Sequence, residues 1–177
     1  FRSANQWPAL PGFRDGVMAY CDALEGLVRK LVRLYAVALD LPPAWFDAAF
    51  EDLQYKLRMT HYPPQETTAE DDFGIAPHTD TSFLTVLAPN QVPGLAIRKP
   101  DGQWLDAPAI PDAFVVNGGQ LLLRWTNDLF LATPHRAINR SGGERYALAF
   151  FCDARVDWPV AAVPTTVGPD KPPRYPT

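Results

Sequence analysis

The chain has 177 residues, 47% hydrophobic and 20% charged, with a formal net charge of −4. That length suits a single domain with a sizeable core, and the composition is that of a globular rather than a disordered protein. Lys and Arg form no basic block, so nucleic acid and anionic membrane surfaces are not expected partners, and no apolar run reaches the roughly 18 residues needed to span a bilayer.

The opening FRSANQW lacks a Met and a signal-type pattern, and the chain stops in GPDKPPRYPT, so it reads as a piece of a longer protein. Residues 13–40 place Tyr20, Leu24, Leu27, Leu31 and Leu34 at steps of three and four, which predicts an amphipathic helix. Pro42 and Pro43 end it, and PAWFDAAFEDL predicts a second short helix. Cys21 and Cys152 fit no metal or redox spacing; buried free thiols in a reducing, cytoplasmic compartment are expected.

Beyond Leu57 the texture changes. LRMTHY, SFLTVLA, GLAIRK, QWLDAPA, AFVVNG, PHRAIN and RYALAFF read as short strands, and KPDGQ as a tight turn. QLLLRW fits helix or strand equally. The 19 prolines punctuate loops and edges. The expected fold is mainly β with flanking α, in one structural domain. Residues 1–54 form a helical segment packed on a β core of residues 55–177. The acidic stretch PPQETTAEDDFG is expected to be a mobile loop leading to His78.

His78 and Asp80 stand two apart, so on a strand both side chains would face one cavity while Thr79 turns away. An H-x-D pair alone is not diagnostic, but His135 in a later β-like segment could supply a third ligand. Two imidazoles and one carboxylate leave three octahedral positions open, the arrangement of non-haem Fe(II) oxygenases. Structural zinc would fill four positions and favour thiolates, which are not placed for it.

Arg145 begins an otherwise apolar run, so its guanidinium would enter the interior and demand an anion. A structural ion pair and a bound carboxylate both satisfy that demand. Phe151 shares the face of Arg145 by alternation and would line the pocket or the core. His61 faces away from Tyr62 and reads as structural, and Trp104, Trp125 and Trp158 read as core or rim. Asn117 and Gln120 are expected to satisfy backbone at a bend signalled by Gly118 and Gly119.

LRMTHYPPQ, PHTDTSFLTVL, WTNDLFLATPHRAINR and RYALAFF, in that order, resemble the isopenicillin N synthase-like branch of the 2-oxoglutarate and Fe(II)-dependent dioxygenases. PTTVGPDKPPRYP is similar to the segment that follows the barrel in that branch. The resemblance implies a double-stranded β-helix, or jelly roll, with the N-terminal helix packed against it. It implies Fe(II) on His78, Asp80 and His135, with 2-oxoglutarate as co-substrate bound at its far carboxylate by Arg145 and Tyr62. Phe151 matches an aromatic position that lies against the substrate in some members. The implied reaction is oxidation of a small organic substrate by O2, most commonly hydroxylation, with release of succinate and CO2. The runners-up are an Fe(II)/O2 oxidase of the same fold that does not use 2-oxoglutarate, and a non-catalytic jelly-roll binding module.

The sequence departs from the family at Ala147, where the motif has a serine whose hydroxyl also holds the co-substrate carboxylate. A hydrogen bond to a charged group contributes about 1.5–3 kcal/mol, so an unreplaced loss weakens binding roughly ten- to hundredfold.

Overall fold

The amphipathic run folds as helix α1, Phe13–Ala38, in a computed structural model that describes residues 4–65, 72–88 and 91–175. Its buried face is Cys21, Leu24, Val28, Val32 and Ala36, one stripe at near-helical period. The helix stops two residues before its predicted end because Asp40 turns left-handed (φ 55°), which lets the Leu41 N–H close on the Ala36 carbonyl at 3.0 Å. The second predicted helix shrinks to a single 3-10 turn, Asp47–Phe50.

Eight strands follow: β1 Gln54–Tyr62, β2 Ile75–His78, β3 Leu84–Leu87, β4 Leu95–Arg98, β5 Trp104–Asp106, β6 Val115–Gly118, β7 His135–Ala137 and β8 Arg145–Asp153. They form two antiparallel four-stranded sheets, ordered β1-β8-β3-β6 and β2-β7-β4-β5. Consecutive strands such as β2 and β3 fall in different sheets, as a double-stranded β-helix requires. KPDGQ closes the β4–β5 hairpin, with Gly102 at φ 87° and its N–H on the Lys99 carbonyl.

QLLLRW resolves as helix α2, Gln120–Trp125. Leu122 and Trp125, three apart, both enter the core from it. The packing that selects helix here is long-range, which is why local periodicity leaves the segment open.

Helix α1 lies on the outer face of the first sheet. Strand alternation sends Phe150 and Cys152 outward to this helical side, and Arg145, Ala147, Ala149 and Phe151 inward to the space between the sheets. Phe83, fully buried, meets Phe46, Phe50 and Trp125 edge-on at 5.7, 4.9 and 5.7 Å between ring centroids. Both cysteines are free and buried, and burial pushes the Cys152 thiol well up, so it packs as a neutral group.

No helix among the described residues is long and apolar enough to cross a membrane. Residues 66–71, half of the acidic stretch expected as a mobile loop, lie outside the described residues.

Candidate metal centre

In the second sheet, β2 and β7 are paired so that His78 stands directly opposite His135. Their rings sit 4.3 Å apart, centroid to centroid. Each Nδ1 lies against a main-chain carbonyl two residues back, Ala76 for His78 at 2.8 Å and Thr133 for His135 at 3.0 Å. A carbonyl only accepts, so Nδ1 carries the proton in both rings, which leaves Nε2 as the nitrogen by which a neutral ring can bind a metal. Both Nε2 atoms approach one oxygen: Asp80 Oδ1 is 3.7 Å from His78 Nε2 and 3.6 Å from His135 Nε2. The three potential ligand atoms all lie within 4.8 Å of one another. The Asp80 side chain is 4% exposed and His135 16%, but His78 is 35%, so the site opens on the His78 side.

Asp80 is not on a strand, since β2 ends at His78. Its placement comes from the start of α2 instead of the pleat. The Gln120 N–H donates to the Asp80 carbonyl at 2.8 Å, and the Leu121 N–H to the carbonyls of Thr81 and Ser82 at 3.3 Å. The first N–H groups of a helix have no partner within it, and here the ligand-bearing loop accepts from them. The approach needs glycine: a Cβ on Gly119 would fall 2.1 Å from the Ser82 carbonyl oxygen.

The second carboxylate oxygen is held from the other sheet. Asp80 Oδ2 accepts from Thr85 Oγ1 at 2.6 Å and from Asn117 Nδ2 at 2.8 Å, and Thr85 and Asn117 are themselves cross-strand partners in β3 and β6. Ser82 Oγ lies 3.2 Å from the Thr85 hydroxyl and donates to it, since the single Thr85 proton is already committed to Asp80. The expectation that Asn117 and Gln120 satisfy backbone is therefore corrected. The Asn117 amide orients the Asp80 carboxylate, and the Gln120 amide donates to the Thr79 hydroxyl at 3.0 Å, outside the cavity. Thr85 is a site residue that the sequence reading misses altogether. Asn117→Ala is expected to weaken Fe(II) binding about 10- to 100-fold, the usual effect of losing a group that orients a ligand. Anaerobic metal titration reads it, and an unchanged affinity would remove Asn117 from the site.

Farther along the same cavity, Tyr62 of β1 pairs with Arg145 of β8, and Thr60 with Ala147. Arg145 is 4% exposed, yet its Nε and Nη1 have no hydrogen-bond partner. Its guanidinium carbon lies 4.8 Å from the Tyr62 ring centroid. Gly94 (φ 145°) closes the space behind it, where an added Cβ would fall 3.1 Å from Arg145 Nε. Of the two ways to satisfy the buried cation, the structural ion pair is absent among the described residues. A buried guanidinium with no anionic partner among the described residues can take an anion such as a carboxylate. Ala147, buried, offers no donor beside it.

Midway along β1, the Arg58 guanidinium lies 5.3 Å from the centroid of Phe151, and both line the cavity. His61 faces outward, stacked on Tyr146 at 4.8 Å and in contact with the Glu144 carboxylate. Trp125 is core, Trp158 packs against it, and Trp104 lies under Arg136 at 4.3 Å.

The profile of the family described as the 2OG-Fe(II) oxygenase superfamily matches residues 53–154. The chain is 36% identical to a 2-oxoglutarate-Fe(II) type oxidoreductase, hxnY, of Emericella nidulans, over 97% of its own length and 51% of that protein's. It is similar in structure to a full-length Neurospora crassa protein crystallised in complex with alpha-KG, with a TM-score of 0.91 and 29% identity, covering 98% of this chain and 57% of the other. It is also similar to JOX2 in complex with 2OG, Fe and JA, with a TM-score of 0.89 and 33% identity, covering 96% and 51%. The chain thus spans about half the length of the curated relatives it matches.

Proposed function

Because the chain belongs to the 2OG-Fe(II) oxygenase superfamily, we propose that it oxidises a small organic substrate with O2. In this reading His78, Asp80 and His135 hold Fe(II), and 2-oxoglutarate is the co-substrate. The carrying observation is one cavity that holds both a convergent His–Asp–His set and a buried guanidinium with no anionic partner among the described residues. The donor set fits the ion, with two neutral imidazoles and one carboxylate and no thiolate among them. Bound Fe(II) supplies the redox chemistry that couples decarboxylation of 2-oxoglutarate, to succinate and CO2, with oxidation of the substrate.

The chain's own part is positional. The Ala76 and Thr133 carbonyls fix the imidazole tautomers, and Thr85 and Asn117 leave a single Asp80 oxygen free. Arg145 receives the far carboxylate of 2-oxoglutarate through its two unpartnered nitrogens, beside the phenol of Tyr62. Leu87, Ala147 and Ala149 keep the intervening wall apolar, which limits water. Phe151, with the Arg58 guanidinium over its ring, lines the same cavity and is proposed to lie against the substrate. Hydroxylation is the proposed outcome.

Arg145 has no anionic partner among the described residues, which supports a bound carboxylate, and 2-oxoglutarate is the carboxylate proposed for it. Neither a nucleic acid nor a membrane is proposed as partner. Residues 1–54 and 55–177 are read as one structural domain, supported by the continuous core between α1 and the first sheet. The two free buried thiols support a reducing, cytoplasmic location. The test is anaerobic titration of the Fe(II)-loaded protein with 2-oxoglutarate, following the weak visible band of the chelate. A band that saturates is expected, and its absence at millimolar co-substrate would overturn the proposal.

A further inference from the structure

We propose that Thr60 is a binding residue for the far carboxylate of 2-oxoglutarate, donating from β1 the hydrogen bond that Ala147 cannot donate from β8. The inference rests on the co-substrate reading above and goes beyond it.

Strands β1 and β8 pair in unbroken antiparallel register, with Tyr62 opposite Arg145 and Thr60 opposite Ala147. All four residues line the cavity, so they form one two-by-two patch on its wall. Residues directly opposite in an antiparallel pair have Cβ atoms about 4.5–5.5 Å apart, and diagonal ones are about 7–8 Å apart, within reach of a long side chain. The Thr60 side chain is therefore a near neighbour of the Ala147 methyl, at the next pair on the same face from Arg145.

A carboxylate presents about four acceptor positions. The two unpartnered Arg145 nitrogens and the Tyr62 phenol supply three donors. A small buried alanine at 147 leaves room beside them and no donor. Thr60 supplies the remaining hydroxyl from the facing strand. As a β-branched residue in a strand it has few side-chain rotamers to lose on binding.

Thr60→Val keeps the shape and removes the hydroxyl. It is expected to weaken 2-oxoglutarate binding about tenfold, the lower end for a hydrogen bond to a charged group. The readout is the dissociation constant from the anaerobic visible-band titration, not turnover. Fe(II) affinity and the melting temperature should stay within error of the parent, and Thr60→Ser should keep parental 2-oxoglutarate affinity. Ala147→Ser added to Thr60→Val should recover most of the loss.

Ala147→Ser alone should tighten binding less than threefold, because the acceptor is already served. Thr60→Val binding within twofold of the parent overturns the inference while leaving the co-substrate reading intact. A tenfold gain from Ala147→Ser alone does so too, without depending on any Thr60 variant folding. No band in the parent protein overturns both.

Discussion

Asp80→Ala is expected to weaken Fe(II) binding by more than a hundredfold. Asp80 contributes the only negative charge of the proposed ligand set, and its Oδ1 is the atom on which both imidazole Nε2 atoms converge. Groups that merely orient a ligand are worth about 10- to 100-fold in metal affinity, so loss of the ligand itself must exceed that. Two neutral imidazoles would remain, an arrangement with no charge to offset that of the ion. The substitution also strips the acceptor from the Thr85 hydroxyl and the Asn117 amide. A buried donor left unmet costs about 1–3 kcal/mol, so a lowered melting temperature should accompany the metal loss. Anaerobic Fe(II) titration and thermal melts read the two effects separately. Undiminished iron affinity would sink the assignment of Asp80 as a ligand.

Arg145→Met should abolish measurable 2-oxoglutarate binding and at the same time make the ligand-free protein more stable. Two hydrogen bonds to a carboxylate, at about 1.5–3 kcal/mol each, correspond to roughly 10²- to 10⁴-fold in affinity. Without ligand the same guanidinium is a buried charge with no anionic partner among the described residues, and its Nε and Nη1 are unmet. Replacing buried charge by an apolar side chain of similar length is often neutral or stabilising by about 1–4 kcal/mol. The contact with the Tyr62 ring offsets part of this, typically about 0.5–2 kcal/mol. Opposite signs in binding and in melting temperature mark a residue kept for function. A fall in both would instead mean that Arg145 is a structural ion pair.

What the sequence can disclose is whatever depends on near neighbours. The alternation that puts Arg145 and Phe151 on one face of β8 is local, and so is the spacing of His78 from Asp80. Residue type does the rest, since an arginine opening an apolar strand must find an anion. Thr85 and Asn117 escape because their role depends on β3 pairing with β6, and on α2 pinning the Asp80 loop beside them. A trace is there: the strands LTVL and VVNG each carry one polar side chain in an apolar run, and buried polar groups have partners. Which partner cannot be read without the sheet order. The same limit applies to QLLLRW, where contacts from Leu122 and Trp125 into the distant core decide for helix. Asp80 is the instructive case. It faces its histidine through helix-start hydrogen bonds and not through strand alternation, so the pleat gives the right orientation for the wrong reason.

Both histidines belong to one sheet, while the carboxylate is anchored by residues of the other. An ion at that point would be a removable rivet across the seam of the sandwich. Its grip on the fold would grow only with the logarithm of the free metal concentration. The durability of the folded chain would then track the iron supply as well as the sequence.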